Sequence, residues 1–138
     1  MIRKAFIDSD VILDLATGRE PFVEHSRTAL SIVENGYAIG VMSSNSVTNI
    51  YYILRKLSSS SKAKDFLRTL LKYVSAIPVH HGDVIQALES KFYDFEDGVQ
   101  HFCALKNQCD FIVTRNSKHY MMSELKVLEP KEFVALYK

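Results

Sequence analysis

Short apolar runs alternate along this chain with longer segments in which apolar residues recur at helical spacing. The short runs are typical of buried strands in a parallel sheet, and the longer segments are typical of amphipathic helices. The predicted strands are the run that ends at Asp8 and residues 37–42, 76–80, 110–114 and 126–128. Because alternating strands and helices are joined by right-handed crossovers, we expect an α/β fold: a mostly parallel, about five-stranded sheet with helices on both faces.

Turn-forming and capping residues divide the helical segments. Asn35-Gly36 predicts a helix end, and Pro130 predicts a helix start. The predicted helices are a short one after Asp8, then 22–35, 46–57, 62–73, 84–90, 95–106 and 130–136, with a helical turn at 120–123. In the segment 46–57 one face carries the apolar side chains Val47, Ile50, Ile53, Leu54 and Leu57. The serine run 58–61 is too short to separate domains, so residues 1–138 are expected to form a single domain.

The composition places few limits on function. Hydrophobic residues make up 47% of the chain, but no apolar run approaches the roughly 20 residues of a membrane span. The first apolar run is also too short for a signal peptide, so a cytoplasmic protein without a membrane partner is expected. A formal net charge of +1 neither favours nor excludes nucleic acid. Cys103 and Cys109 are predicted to be buried free thiols.

Three carboxylates follow the first predicted strand within seven residues. Asp8 comes directly after Phe6-Ile7, and Asp10 and Asp14 follow one helical turn apart. Open α/β sheets bind their ligands at the carboxyl ends of the strands, so Asp8 is a candidate active-site residue. The alternative is that Asp8 only caps the next helix, since aspartate is a favoured N-cap.

Further oxygen-bearing side chains fall at the same predicted edge. Asn49 lies early in the helix after the second strand, Asp94 and Asp97 open the helix at 95–106, and Asn116 follows the fourth strand. Hard oxygen donors that converge from several strand ends are the ligands that Mg²⁺ or Mn²⁺ requires. The alternatives are complementation of the helix dipole by the aspartates and capping or turn roles for the asparagines.

Four segments together resemble the PIN domain family in their order and spacing: FIDSDVILD, VMSSNSVTNIYYILRK, DFEDGVQHFCAL and DFIVTRN. The family includes metal-dependent ribonucleases and the VapC-like toxins of bacterial toxin–antitoxin pairs. The resemblance spans nearly the whole chain and implies a three-layer α/β/α sandwich. It also implies hydrolysis of RNA phosphodiesters with Mg²⁺ or Mn²⁺.

Two carboxylates match the motifs of the family. Its first invariant aspartate corresponds to Asp8, and the aspartate of its DFED-type motif corresponds to Asp97, with Asp94 as a frequent helper. The resemblance therefore implies that these three residues hold the metal ion.

The other acidic positions of the family are replaced in this chain. The glutamate after the second strand falls on Asn49, the acidic residue after the fourth strand falls on Asn116, and a further acidic position falls on His119. Amide oxygens ligate metals without contributing charge, so weaker metal binding than in a fully acidic relative is expected. Asn49 and Asn116 would then orient water or the scissile phosphate.

RNA binding would need additional contacts at the same edge. Ser9 and Thr114 are candidates for hydrogen bonds to the substrate, and Arg115 is the candidate phosphate contact. A basic stretch across two helices has a solvated helix face as its alternative explanation; it consists of Arg55, Lys56, Lys62, Lys64, Arg68 and Lys72. By resemblance, single-stranded RNA, an antitoxin protein and a second copy of the chain are the expected partners.

Two other functions remain open on the sequence alone. With amides and an imidazole in acidic positions, the chain could be a PIN-fold module that binds RNA or a partner without cutting. The opening Asp-x-Asp also resembles haloacid-dehalogenase-like phosphatases, in which Asp8 would be the nucleophile and Asp10 the general acid. The position of Asp10 relative to Asp8 bears on that choice.

Overall fold

A computed structural model describes all 138 residues of the chain. Its strands are β1 (Arg3–Ile7), β2 (Ala38–Ser43), β3 (Val74–Ile77), β4 (Phe111–Val113) and β5 (Lys126–Leu128). Its helices are α1 (Ser9–Thr17), α2 (Val23–Glu34), α3 (Ser44–Leu57), α4 (Ser60–Leu70), α5 (His81–Glu89), α6 (Phe95–Lys106) and α7 (Pro130–Ala135), with a 3₁₀ helix at Ser117–Tyr120. No helix has both the length and the apolar character that crossing a membrane requires.

The five strands form one sheet in the order β3-β2-β1-β4-β5, and every neighbouring pair is parallel. This confirms the predicted α/β architecture. Phe6 in the central strand pairs with Val41 on one side and with Ile112 on the other. The chain runs outward from β1 through β2 to β3 and then crosses to the other side for β4 and β5. The resulting switch point between β1 and β4 is where such sheets bind ligands.

The core lies on both faces of the sheet, as the alternation of side chains along β1 requires. Ala5 and Ile7 belong to the larger cluster, which they share with residues of α1, α2, α3, α4 and α7. Phe6 points to the opposite face, where it packs with Cys103, Ile112 and residues near them. The two faces together give the three-layer arrangement.

The third strand differs in its bounds from the sequence prediction of 76–80. β3 begins at Val74 and ends at Ile77. Pro78 follows directly and has no backbone N–H to continue the ladder. The backbone N–H of His80 instead donates to Asp83 Oδ2 (2.9 Å), a contact that caps the start of α5.

The helical turn predicted at 120–123 lies three residues earlier, at Ser117–Tyr120. The hydroxyl of Thr114 accepts a hydrogen bond from the backbone N–H of Asn116 (3.1 Å), and the backbone N–H of His119 donates to the carbonyl of Asn116 (2.9 Å). These contacts start the turn almost immediately after β4. They also bring Tyr120 into the core.

The apolar face of α3 is only partly covered. Ile50 and Leu54 are buried, whereas Ile53 and Leu57 are exposed beside Leu13 of α1. The helix thus packs on its neighbours through a narrower stripe than the sequence predicts. An apolar edge is left at the surface.

Both cysteines are buried free thiols, as predicted. Burial raises the pKa of Cys103 to about 11 and that of Cys109 to about 12. Neither thiol is therefore ionised near neutral pH, and both behave as small core side chains.

Candidate active site

Asp8 stands at the switch point of the sheet, between the end of β1 and the start of α1. It is only 7% exposed. Its Oδ1 accepts the backbone N–H of Ser9 (2.7 Å), which makes Asp8 the N-cap of α1. Its Oδ2 accepts the hydroxyls of Thr114 (2.8 Å) and Tyr120 (3.3 Å). The capping alternative is thus realised, but the contacts from distant segments show that Asp8 is also the centre of a larger polar network.

A chain of buried polar side chains holds Asp8 from the other side. Gln100 on α6 donates from Nε2 to Asp8 Oδ1 (3.3 Å), and its Oε1 accepts the hydroxyl of Ser46 (3.1 Å). Ser46 in turn lies 2.9 Å from the hydroxyl of Ser43, which is the N-cap of α3. Four separate segments therefore fix the orientation of one carboxylate.

Asp97 lies in the first turn of α6 and faces the same cluster. Asp94 is the N-cap of this helix, and its Oδ1 accepts the backbone N–H of Asp97 (3.0 Å). The pKa of Asp97 is raised to about 6, first by burial and then by the negative charges of Asp8 and Asp94. His119, whose Nδ1 lies 3.5 Å from Asp97 Oδ2, and the Tyr120 hydroxyl oppose this rise. The negative charge of Asp8 thus acts on the carboxylate of Asp97.

Asp10 is a third carboxylate of the cluster and lies beside Asp8. The hydroxyl of Thr114 is within hydrogen-bonding distance of both, 2.8 Å from Asp8 Oδ2 and 3.3 Å from Asp10 Oδ2. Asp10 also accepts the backbone N–H of Arg115 (3.2 Å) and Nδ2 of Asn116 (2.8 Å). Burial, followed by the charge of Asp8, raises the pKa of Asp10 to about 6.

Asn49 lies on the exposed side of the cluster. It lines a cavity of about 190 Å³ together with Glu96, Ser46 and Gln100. The pKa of Glu96 is raised by burial and by the charges of Asp94 and Asp8. Asn49 therefore reaches the cavity next to the carboxylates without making a hydrogen bond to Asp8.

Arg115 is placed differently from the expected phosphate contact. Its Nε donates to Asp14 Oδ2 (2.7 Å) and Nη2 donates to Asp14 Oδ1 (3.3 Å). The guanidinium carbon also lies 4.2 Å from the centre of the Phe22 ring. Because Asp14 is almost fully buried, it needs this counter-charge, and two of the three guanidinium nitrogens are occupied by it.

Thr114, another expected substrate contact, and Asn116 also have partners inside the protein. The hydroxyl of Thr114 lies within hydrogen-bonding distance of the carboxylates of Asp8 and Asp10. The Asn116 amide is committed to Asp10. Ser9 differs, because its hydroxyl oxygen is buried and has no hydrogen-bond partner. The Ser9 hydroxyl therefore differs from that of Thr114, which is held by two carboxylates.

Sequence reasoning missed three members of the cluster: Gln100, Tyr120 and Glu96. Gln100 carried a weak signal, since it lies three residues after Asp97 and so on the same face of α6. Tyr120 carried no such signal, because a tyrosine in the sequence does not indicate that its hydroxyl reaches a carboxylate 112 residues away. Glu96 was obscured by the stronger match of its neighbour Asp97 to the family motif.

The donor set fits a hard divalent cation by its chemistry. Asp8, Asp10 and Asp97 supply carboxylate oxygens whose mutual repulsion a cation would relieve, and the unpaired hydroxyl of Ser9 lies next to Asp8. No group of three or more His, Cys, Asp or Glu side chains converges closely enough to surround a metal ion. The structure thus supplies paired carboxylates, Asp8 with Asp10, rather than a group of three that could enclose an ion.

The sequence also matches known proteins. The family model described as the PIN domain matches residues 4–118. Ribonuclease VapC1 of Aquifex aeolicus strain VF5 is 28% identical to this chain in an alignment of 135 positions that covers 94% of this chain and 92% of that protein. The range of the family model includes Asp8, Asp97 and Asn116.

The family match bears on the phosphatase alternative. Asp10 does lie beside Asp8, as that alternative required. However, β4 is followed by Thr114, Arg115 and Asn116 rather than by a carboxylate, and the matching family is a different one. The paired aspartates are therefore a feature of this PIN-type site.

Solved structures share the fold across almost the entire chain. VapBC2 from Rickettsia felis, bound to a DNA fragment from its promoter, superposes with a TM-score of 0.71 at 15% identity, covering 91% of this chain and 98% of that one. A toxin–antitoxin complex from Klebsiella pneumoniae gives a TM-score of 0.68 at 16% identity, covering 91% and 97%. With the family model matching most of its length, this chain belongs to the PIN domain family.

Proposed function

We propose that this protein is a metal-dependent endoribonuclease of the PIN type. The observation that carries the proposal is the crowding of carboxylates around Asp8: the Thr114 hydroxyl lies 2.8 Å from Asp8 Oδ2 and 3.3 Å from Asp10 Oδ2. Burial, followed by nearby negative charges that include Asp8, raises the pKa values of Asp10, Glu96 and Asp97. Carboxylates from separate segments are thus crowded together at the ligand-binding edge of the sheet. Folding such a cluster costs free energy, which is expected where a divalent cation and a phosphate bind.

The relatives support this activity. The Aquifex aeolicus relative is named a ribonuclease, and the match covers nearly all of both chains. The segment that matches the PIN family model, residues 4–118, includes the crowded carboxylates. The substrate class we propose is therefore single-stranded RNA, and the proposed reaction is hydrolysis of its phosphodiester bonds.

The chain's own residues have distinct roles in this proposal. Asp8 and Asp97 hold Mg²⁺ or Mn²⁺, and Asp10 contributes a third negative charge close to Asp8. Gln100 and Tyr120 fix the rotamer of Asp8, so that its oxygens face the cation site rather than rotating away. A bound divalent ion would supply Lewis-acid activation of water and charge neutralisation on the phosphate.

A second candidate function is RNA or partner binding without cleavage. It is favoured by the commitment of the Asn116 amide to Asp10 and by the lack of a preformed group of three metal-binding side chains. In this alternative the neutral side chains Asn49 and Asn116 leave too little negative charge to retain the ion. Both functions require that the protein bind RNA, but only the first requires that it cleave RNA.

A cleavage assay on single-stranded RNA with Mn²⁺ or Mg²⁺ tests the proposal. We expect Asp8→Asn and Asp97→Asn each to lower the cleavage rate by at least about 100-fold, because each removes a carboxylate from the cation site. The matched control is Asp65→Asn, since Asp65 is an exposed aspartate on α4 that pairs only with Arg68. Equal cleavage by the parent and by Asp8→Asn would overturn the catalytic proposal. A gain of activity in Asn49→Glu, from an inactive parent, would instead establish a disabled site.

We further propose that the protein is the toxin of a toxin–antitoxin pair. The Klebsiella pneumoniae neighbour is a toxin–antitoxin complex. In this chain the exposed Ile53 and Leu57 lie beside Leu13 and Arg19, which gives an apolar surface with a basic edge for an antitoxin segment. A homodimer of the chain is part of the same proposal.

Co-expression with any small protein encoded next to its gene tests the antitoxin proposal. We expect a stable complex that suppresses RNA cleavage, and we expect Ile53→Asp with Leu57→Asp to abolish it. Tyr37→Asp is the matched control, because Tyr37 is an exposed aromatic residue just before β2 that does not line this surface. The mass of the protein alone in solution tests the homodimer.

A further inference from the structure

A groove of about 510 Å³ opens beside the carboxylate cluster, between the segment before α6 and the 3₁₀ helix. Its walls are formed by Lys91, Tyr93 and Asp94 on one side and by Lys118, His119, Met121 and Met122 on the other. It is larger than the cavity at Asn49, which measures about 190 Å³. None of the roles described above uses its apolar or basic side chains.

The apolar side chains of the groove are exposed. Tyr93 has a relative exposure of 101%, and Met121 and Met122 are also exposed. Single exposed apolar residues are common, but three that face one groove next to a polar site indicate a ligand surface. An unstacked aromatic ring and two thioether side chains suit a flat, polarisable group.

The charges of the groove complement an anion. Lys91 and Lys118 are both exposed, and the ion pairs of the structure involve other side chains, so neither ammonium group is matched by a carboxylate. Lysines beside an exposed aromatic ring combine the two contacts that single-stranded nucleic acid offers, namely its phosphates and the faces of its bases.

The groove is continuous with the proposed cleavage site. His119 forms part of its wall and also lies 3.5 Å from Asp97 through Nδ1 and Oδ2. Asp94, in the opposite wall, caps the helix that carries Asp97. A single strand of nucleic acid that occupies the groove would therefore place the next phosphate of its backbone in the carboxylate cluster.

We infer that this groove binds an unpaired nucleotide of the RNA next to the scissile phosphate, with its base stacked on Tyr93 and its phosphate between Lys91 and Lys118. The inference rests on the proposed function for its substrate class. It adds a base-binding subsite that tolerates any sequence, because every base has a π-face. Double-stranded RNA is excluded from it, since paired bases are already stacked on their neighbours.

The affinity for a short, labelled single-stranded RNA tests the subsite. All variants carry Asp8→Asn, so that the substrate stays intact, and each is checked for an unchanged melting temperature. We expect Tyr93→Ala to weaken binding roughly five- to 150-fold, whereas Tyr93→Phe keeps the ring and stays within about twofold. Tyr52→Ala is the matched control, because Tyr52 is an exposed tyrosine on α3 outside the groove, and it should bind like the parent.

The salt dependence of binding tests the lysines. Each lost phosphate contact with a single strand reduces the slope of log affinity against log salt by about 0.7, so Lys91→Ala with Lys118→Ala should reduce it by roughly 1.4. The control is Lys126→Ala with Lys131→Ala, two exposed lysines outside the groove, which should leave the slope unchanged. Full affinity in Tyr93→Ala, or an equal loss in Tyr52→Ala, would overturn the subsite and would leave a protein segment as the occupant to test.

The failure of this inference is distinguishable from failure of the proposed function. If the parent does not cleave RNA but Tyr93→Ala still weakens binding, the subsite stands and the cleavage proposal falls. If the parent cleaves RNA and Tyr93→Ala changes neither the affinity nor the KM, the cleavage proposal stands and the subsite falls.

Discussion

The guanidinium of Arg115 forms an ion pair with the carboxylate of Asp14, in which Nε donates to Oδ2 (2.7 Å) and Nη2 donates to Oδ1 (3.3 Å). Asp14 is only 2% exposed. The pair joins α1 to the segment after β4, directly behind the candidate active site. Arg115 therefore has a structural contact that its position in the sequence did not indicate, and its role as a phosphate contact stays a prediction.

Replacement of Arg115 should destabilise the protein. Arg115→Ala leaves the Asp14 carboxylate buried without a counter-charge, which costs about 3–5 kcal/mol of unfolding free energy. Urea unfolding followed by circular dichroism measures this loss. A phosphate-binding role would give the opposite pattern, in which the stability is kept and the RNA affinity is lost.

The exposed pair of Arg68 and Asp65 is the matched control for this experiment. Its atoms are 3.0 Å apart, but its side chains are 70% and 71% exposed. Arg68→Ala should therefore cost less than about 1 kcal/mol. A loss for Arg115→Ala that is no larger than this would contradict the structural role.

The close packing of β2 against α2 predicts a steric effect at Gly40. A Cβ atom at this position would lie 2.6 Å from Cγ1 of the buried Val33, which has no freedom to move away. Gly40→Ala should cost about 1–3 kcal/mol, and at least about 1 kcal/mol less when Val33→Ala is already present. Thermal and urea unfolding of the four proteins of this cycle measure the coupling.

Gly82 provides the control for Gly40. It lies in the first turn of α5, and a Cβ there would meet nothing within 4 Å. Gly82→Ala should leave the protein as stable as before or raise its stability by up to about 1 kcal/mol, through better helix propensity. Equal effects of the two glycine substitutions would show that Val33 does not set the cost.

The carboxylate cluster predicts how the stability of the metal-free protein depends on pH. The pKa values of Asp10 and Asp97 are both raised to about 6 from a reference value of 3.8. Between these values the folded state holds protons that the unfolded state has lost, so the stabilising contribution is fully present below about pH 4 and is lost as the pH rises through 6.

Urea unfolding at pH 4.5 and pH 7 tests this dependence. With solvent screening taken into account, each carboxylate should lower the stability by about 1–2 kcal/mol over this range. The double variant Asp10→Asn with Asp97→Asn should lose this part of the pH dependence, whereas Asp65→Asn should retain it. A parent protein that gains stability relative to the double variant as the pH rises would contradict the raised pKa values.

Asn116 predicts a trade-off between stability and metal affinity. Its Nδ2 donates to Asp10 Oδ2 at 2.8 Å, so Asn116→Asp replaces a hydrogen bond with a repulsion between like charges. The metal-free variant should lose about 1–3 kcal/mol of stability. Calorimetric titration with Mn²⁺ should find roughly tenfold or greater tightening of binding, because the new carboxylate restores a charge at the cation site.

Asn116→Ala separates the two effects. It removes the hydrogen bond to Asp10 without adding a charge, so it should lower the stability and leave the Mn²⁺ affinity close to that of the parent. If Asn116→Asp is as stable as the parent and binds Mn²⁺ no more tightly, Asn116 does not set the charge of the site.

Much of the fold follows from local patterns in the sequence. The apolar run before Asp8 and the helical spacing in 95–106 act over a few residues, and both elements form where they were predicted. The bounds of β3 were wrong by two to three residues because Pro78 and the cap at Asp83 stop the ladder earlier than hydrophobicity indicates. On α3, Ile53 and Leu57 lie outside the buried stripe because no other segment of the chain covers them.

The sequence by itself determined the parallel α/β fold, because apolar periodicity is a local property. It also identified Asp8 and Asp97 as candidate site residues, because each lies in a short motif. Only the tertiary structure decided what surrounds them. Gln100 reaches Asp8 across 92 residues, and Arg115 is drawn to Asp14 across 101. Crossover connections and burial set such contacts, since a buried carboxylate takes the donor that the folded chain places beside it, however distant that donor is in the sequence.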